Sequence, residues 1–73
     1  MSLQDAIIKE LIEDRVPLTL YLMNGFQMRG IIIKWDPTVI VLISDGAPKI
    51  IYKHSISTIA PMRPLKSTKV DHA

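Results

Sequence analysis

The sequence predicts a mostly β fold, with one N-terminal helix followed by a strongly bent five-stranded antiparallel sheet, on three observations. Apolar residues recur at helical spacing from Leu3 to Ile12 and then with a period of two from Leu18. Turn signals separate the short apolar runs at Asn24-Gly25, Asp36-Pro37 and Asp45-Gly46-Ala47-Pro48. Gly30 interrupts the long run from Phe26 to Trp35, which calls for a sharp bend or a close backbone approach.

Ser2-Leu3-Gln4-Asp5 has the form of a capping box, in which the Ser hydroxyl and the Asp carboxylate can satisfy free N–H groups of a first helical turn. Leu3, Ile7, Ile8, Leu11 and Ile12 then make one apolar stripe, with Glu10, Glu13 and Asp14 off it. Val16-Pro17 ends the helix, because a residue before proline is pushed towards extended geometry. In the first strand Leu18, Leu20 and Leu22 point one way, while Thr19, Tyr21 and Met23 point the other. Asn24-Gly25 predicts a type I′ hairpin turn with positive φ at both residues. Four further strands are expected at Phe26 to Trp35, Thr38 to Ile43, Ile50 to Lys53 and Ser55 to Ala60.

With 73 residues the chain sits where a single core is hard to stabilise. It has no Cys and only two His, so disulfides and a metal are poor sources of extra stability, and association remains. The expected open sheet would leave Ile50-Ile51-Tyr52 and Ile56 to Ile59 as apolar edges. Pairing of those edges between identical chains, head to tail, closes into a ring if the rotation permits. The longest apolar run, Val39 to Ile43, is too short for a membrane span, and no signal peptide is evident, so a cytoplasmic protein is expected.

The formal charge is +2, but its distribution matters more than its sum. Among residues 1–60, Lys9, Arg15, Arg29, Lys34, Lys49 and Lys53 are balanced by Asp5, Glu10, Glu13, Asp14, Asp36 and Asp45. The excess lies further on, where Arg63, Lys66 and Lys69 face only Asp71. A nucleic-acid site must therefore be local. Residues 1–61 are expected to form the domain, and 62–73 a basic, solvated, disordered tail.

Tyr52-Lys53-His54-Ser55-Ile56-Ser57-Thr58 resembles the second Sm motif of the bacterial Hfq family. Val16-Pro17, Tyr21-Leu22, Asn24-Gly25, Gly30 and Asp36 are similar to that family's first Sm motif in order and spacing, and Ser2 to Asp5 to its helix start. The match runs from Ser2 to Pro61. The resemblance implies an Sm-like fold assembled as a homohexamer, which acts as an RNA chaperone helping small regulatory RNAs pair with messenger RNAs. It implies no cofactor, no metal and no covalent chemistry.

By this resemblance a proximal, helix-bearing face would hold uridine-rich RNA through Gln4, Thr38, Tyr52, Lys53 and His54. The family's stacking aromatic is absent, since Thr38 stands there, and Trp35 is not expected to replace it because strand parity puts it on the other side. A distal face would take adenine- or purine-rich RNA through Tyr21, Asn24, Gly25, Phe26, Gln27, Met28, Arg29 and Thr58, a run similar to Hfq proteins of Gram-positive bacteria. Tyr21 and Phe26 offer π-faces, and Gln27 and Arg29 offer polar contacts beside them. The rim, where Arg15 is the remaining basic residue after Glu13-Asp14, would repel phosphate and drive pairing weakly.

Taken singly, these residues have plainer roles: Tyr52 packing, Lys53 solvated on a strand, His54 capping a turn, Phe26 and Met28 paired across strands. A second reading is accordingly a structural or protein-binding Sm-like ring with decayed RNA sites. An enzyme is not supported, because His54, Ser55, Ser57 and Thr58 have neither a Gly-framed nucleophile turn nor a marked third triad member.

Overall fold

The computed structural model describes residues 2–69. Helix α1 spans Leu3–Glu13, and the Ser2 hydroxyl accepts the Asp5 N–H at 3.1 Å, as the capping pattern requires. Its C-terminus is closed by more than the proline. Arg15 takes the left-handed conformation (φ 47°), so that Val16 N–H reaches Leu11 O (3.1 Å) and Arg15 N–H reaches Ile12 O (3.3 Å). This is the Schellman arrangement, with its usual apolar contact supplied by the buried Leu11 and Val16.

The strands are β1 (Leu18–Leu22), β2 (Gln27–Trp35), β3 (Val39–Ser44), β4 (Ala47–Tyr52) and β5 (Ile56–Pro61). All neighbouring pairs are antiparallel, in the order β4-β3-β2-β1-β5. β2 is the shared strand: up to Gly30 it pairs with β1, and from Ile31 with β3. Gly30 is the hinge. A Cβ there would collide with the carbonyl oxygen of Ile43, so only glycine lets the two halves of the sheet approach at this bend.

The turns differ from expectation in type. Gly25 has φ 93° while Asn24 keeps a negative φ, and Gly25 N–H bonds Leu22 O at 3.0 Å. The reversal is thus centred on Met23-Asn24 with Gly25 after it, a type I turn followed by a left-handed residue. It is Asp45 (φ 53°) and Gly46 (φ 75°), between the paired Ser44 and Ala47, that make the two-residue type I′ hairpin.

Leu11, Val16, Leu18, Leu20, Ile32, Ile40, Leu42, Ile51 and Leu65 form the core. Thr19 is buried as well, contrary to simple alternation, because β1 lies between β2 and β5 and Thr19 sits opposite both Arg29 and Ala60. β4 and β5 are the sheet edges, as the sequence suggested. Pro48, which has no N–H to give, lies on β4, where an edge tolerates it. Val39, Val41, Ile50 and Tyr52 share the outward side of the β3–β4 pair, leaving an apolar stripe along one edge.

Candidate nucleic-acid interface

Strands β1, β2 and β5 bring four of the expected distal residues to one side of the sheet. Residues directly opposite in an antiparallel pair project together. Tyr21 faces Gln27 on β2 and Thr58 on β5, and two residues along, Thr19 faces Arg29. Tyr21, Gln27, Arg29 and Thr58 therefore share a face. Met28 does not join them: it lies opposite Leu20, partly buried against the core. Phe26 stands just ahead of β2 and is 68% exposed. The Asn24 side chain accepts the Phe26 N–H at 3.1 Å, and Leu22 N–H bonds Phe26 O at 2.8 Å, so Asn24 and Gly25 fix the backbone that carries the aromatic.

The expected proximal residues fall into two groups. Lys53–Ser55 forms a short 3-10 turn rather than continuing β4. On one side of it the Tyr52 and His54 rings lie 5.6 Å apart, tilted by 32°. On the other, Lys53 Nζ sits 4.4 Å from the centroid of the Trp35 ring, and Gln4, Asp5, Trp35, Asp36, Pro37 and Lys53 line one open depression. Thr38 is exposed and holds this region through its backbone: its N–H donates to Asp36 Oδ1 (2.8 Å) and its carbonyl accepts the Lys53 N–H (2.9 Å). Asp36 Oδ1 also accepts the Val39 N–H (2.7 Å). These backbone bonds, Val39 first and then Thr38, hold the Asp36 carboxyl below its usual range, helped by the charge of Lys53.

Trp35 is the residue that parity misjudged. The alternation rule holds along a strand, but β2 ends at Trp35 and Thr38 lies in the turn before β3, so the count between them decides nothing. Within the strand pair Trp35 faces Ile40, which puts it on the side of the buried Ile40 and Ile51.

The rim and the C-terminal segment also differ from expectation. Residues 62–69 are not a solvated strand of chain. Leu65 is buried in the core cluster and lines one groove together with Ile7, Leu11, Ile59 and Pro61. Glu10 fastens the segment: its carboxylate accepts Ser67 Oγ–H (2.6 Å), Ser67 N–H (2.9 Å), Lys66 N–H (3.0 Å) and an Arg63 N–H (3.2 Å). The Ser67 hydroxyl and amide are the main reasons the Glu10 carboxyl is lowered from 4.5 to about 2. Arg63 also reaches Asp14 at 3.4 Å, so part of the helix's negative charge is neutralised within the chain. Arg15 remains exposed in its left-handed cap position. The last four residues, with Asp71 and His72, lie outside the described residues.

Comparison with known proteins decides the family. The family model described as Hfq protein matches residues 3–66. The chain belongs to the Hfq family. An RNA-binding protein Hfq of Moorella thermoacetica is 47% identical over 64 residues, covering 88% of this chain and 76% of the relative. That of Desulforamulus reducens is 40% identical over 68 residues, covering 93% and 85%. A crystal structure of the pleiotropic translational regulator Hfq superposes with a TM-score of 0.78 at 37% identity, over 81% of this chain and 98% of that one. An Hfq protein from Anabaena sp. gives 0.72 at 26% identity, over 82% and 98%. The Sm-like architecture expected from the Tyr52-Lys53-His54 motif is thereby established, and with it a family that works without catalysis. Among the described residues of this Hfq chain, no helix is long and apolar enough to cross a membrane.

Proposed function

We propose that this Hfq protein is a homohexameric, cytoplasmic RNA chaperone that binds single-stranded RNA and supports pairing between small regulatory RNAs and messenger RNAs. Adenine- or purine-rich RNA is bound on the face of Tyr21, Gln27, Arg29 and Thr58, next to Phe26. Uridine-rich RNA is bound more weakly on the helix-bearing face, around Gln4, Lys53 and His54, with Tyr52 beside them. The observation that carries this reading is the common projection of an aromatic, an amide, a guanidinium and a hydroxyl from three adjacent strands, given by the register Gln27–Tyr21–Thr58 and Arg29–Thr19.

The chemistry suits a flexible single strand. Every base offers a π-face, so Tyr21 and Phe26 can stack on it, at about 1–3 kcal/mol per base. Gln27 and Thr58 both donate and accept hydrogen bonds, and Arg29 donates to phosphate or base oxygens. Assembly is supported by the outward stripe of Val39, Val41, Ile50 and Tyr52 on the β3–β4 pair, whose apolar area, with the unpaired backbone groups of the edge strand β4, a neighbouring subunit would cover. The acidic Glu13 and Asp14 leave the rim a weak attractor of phosphate even with Arg63 alongside, so annealing of two RNAs is expected to be slow.

The test is binding of oligo-A and oligo-U to the intact protein at two salt concentrations, with native mass spectrometry for the assembly. Oligo-A binding tighter than oligo-U by a six-subunit species is expected. If neither oligomer binds, the RNA reading fails and a structural or protein-binding ring takes its place.

A further inference from the structure

The helix-bearing face lacks an aromatic at Thr38, yet an aromatic stands in the same neighbourhood with its face towards the motif lysine. We infer that Trp35 is the base-stacking residue of this face, and that a nucleobase of single-stranded RNA binds there by displacing Lys53 from the indole ring. This rests on the RNA-binding reading above and deepens it.

Three observations converge on the site. The Lys53 ammonium lies 4.4 Å from the Trp35 centroid, within the range of a cation–π contact, so one face of the indole is covered by a charged side chain while the ring also packs against the core. Trp35 is only partly buried. Its ring shares an open depression with Lys53 and with Gln4 of the first helical turn, so stacking, an ammonium and an amide converge on one space.

The backbone beneath the depression is held in place. Asp36 accepts the Thr38 and Val39 N–H groups, and Lys53 N–H bonds Thr38 O, so the turn carrying Trp35 and the turn carrying Lys53 are tied to each other. Only the Lys53 side chain has to move.

A half-buried cation–π contact is at most comparable to the stacking of a base on an aromatic side chain, and the base also brings a phosphate, so the exchange favours the base. The released ammonium then has a better partner, because the phosphate arrives with the base. Gln4 and Lys53 can both donate to carbonyl oxygens, which suits uracil and makes oligo-U the appropriate probe. Asp5 and Asp36 also line the depression and disfavour phosphate beside them, so it is Lys53 that attracts the RNA backbone.

Trp35 is the only tryptophan in the chain, so its emission reports on this site without any substitution. Oligo-U titrated into the intact assembly is expected to quench that emission saturably, whereas oligo-A is expected to leave it unchanged. Trp35→Ala is expected to weaken oligo-U binding about tenfold, the effect of losing one stacked base. Trp35→Phe keeps a π-face and is expected to restore most of it, and oligo-A affinity should be the same in all three proteins. Oligo-U that binds without quenching Trp35, or binds Trp35→Ala as well as the native protein, overturns the inference while leaving the RNA-binding reading intact. Failure of both oligomers to bind overturns that reading, and the inference with it.

Discussion

Tyr21, Gln27 and Arg29 on the hairpin face project from the sheet, and Phe26 beside them is largely exposed, whereas Glu10 on α1 is buried and both its carboxylate oxygens are engaged by residues 63–67. Both regions are polar, and both rest on well-formed secondary structure. The difference lies in where the bonding capacity goes. At Glu10 it is consumed within the chain, so the group organises the fold; at the hairpin it stays available, so the group can organise a ligand.

The largest expected effect is on the Glu10 side. Glu10→Ala leaves the Lys66 and Ser67 N–H groups without their acceptor and removes one of the two carboxylates that Arg63 reaches, so residues 62–69 should leave the helix. A marked fall in the thermal midpoint is expected, with faster amide exchange at Lys66 and Ser67 and faster tryptic cleavage after Lys66. Oligo-A affinity should not change. A loss of oligo-A binding in this variant would break the separation between the two regions.

Phe26→Ala comes next, with the opposite pattern. It should weaken oligo-A binding by about 1–3 kcal/mol while leaving the thermal midpoint close to native, because a side chain this exposed contributes little to packing. Equilibrium titration beside a melting curve checks both halves.

Acid should separate the regions as well. The Glu10 carboxyl is lowered from 4.5 to about 2, so the folded state holds fewer protons there than the unfolded state between those values. Its stabilising contribution is fully present above pH 4.5 and is lost as the pH falls towards 2. Asp36, also lowered, acts in the same direction, so the informative quantity is the native protein compared with Glu10→Gln. The native midpoint should converge on that of the variant across this window.

How much of this was legible in the sequence follows from the range of each interaction. Gly30 was readable as a bend because a glycine inside an apolar run is a local anomaly, and the edges were readable because Ile50 to Tyr52 and Ile56 to Ile59 lack the charges that blunt an edge, whereas the pairing of β5 with the distant β1 was not. Tyr21, Gln27 and Arg29 could be placed together because a period of two fixes their side. The Glu10 site could not be read: Ser67 lies 57 residues away, and Leu65, one apolar residue between Pro64 and Lys66, makes no periodic pattern. Trp35 was set aside because strand parity was carried through a turn. The type I′ geometry was assigned to Asn24-Gly25, although Asp45-Gly46 has the two-residue spacing between paired strands that such a turn needs.

The smallest expected effect concerns Arg15. A left-handed residue other than glycine carries a steric cost of roughly 1–2 kcal/mol, and glycine at this helix-terminal position removes it at some cost in chain entropy. Arg15→Gly should therefore raise stability by up to about 1 kcal/mol in denaturant unfolding. As a rim cation it should matter little, so annealing of two RNAs should change less than its stability does.

The most direct measurement is an oligo-A titration of the native protein, Tyr21→Ala and Lys53→Ala at one fixed salt concentration. A hairpin-face site predicts a large loss of affinity in Tyr21→Ala and near-native binding in Lys53→Ala. Near-native binding in Tyr21→Ala with a large loss in Lys53→Ala would contradict it, and would move the principal RNA site to the helix-bearing face.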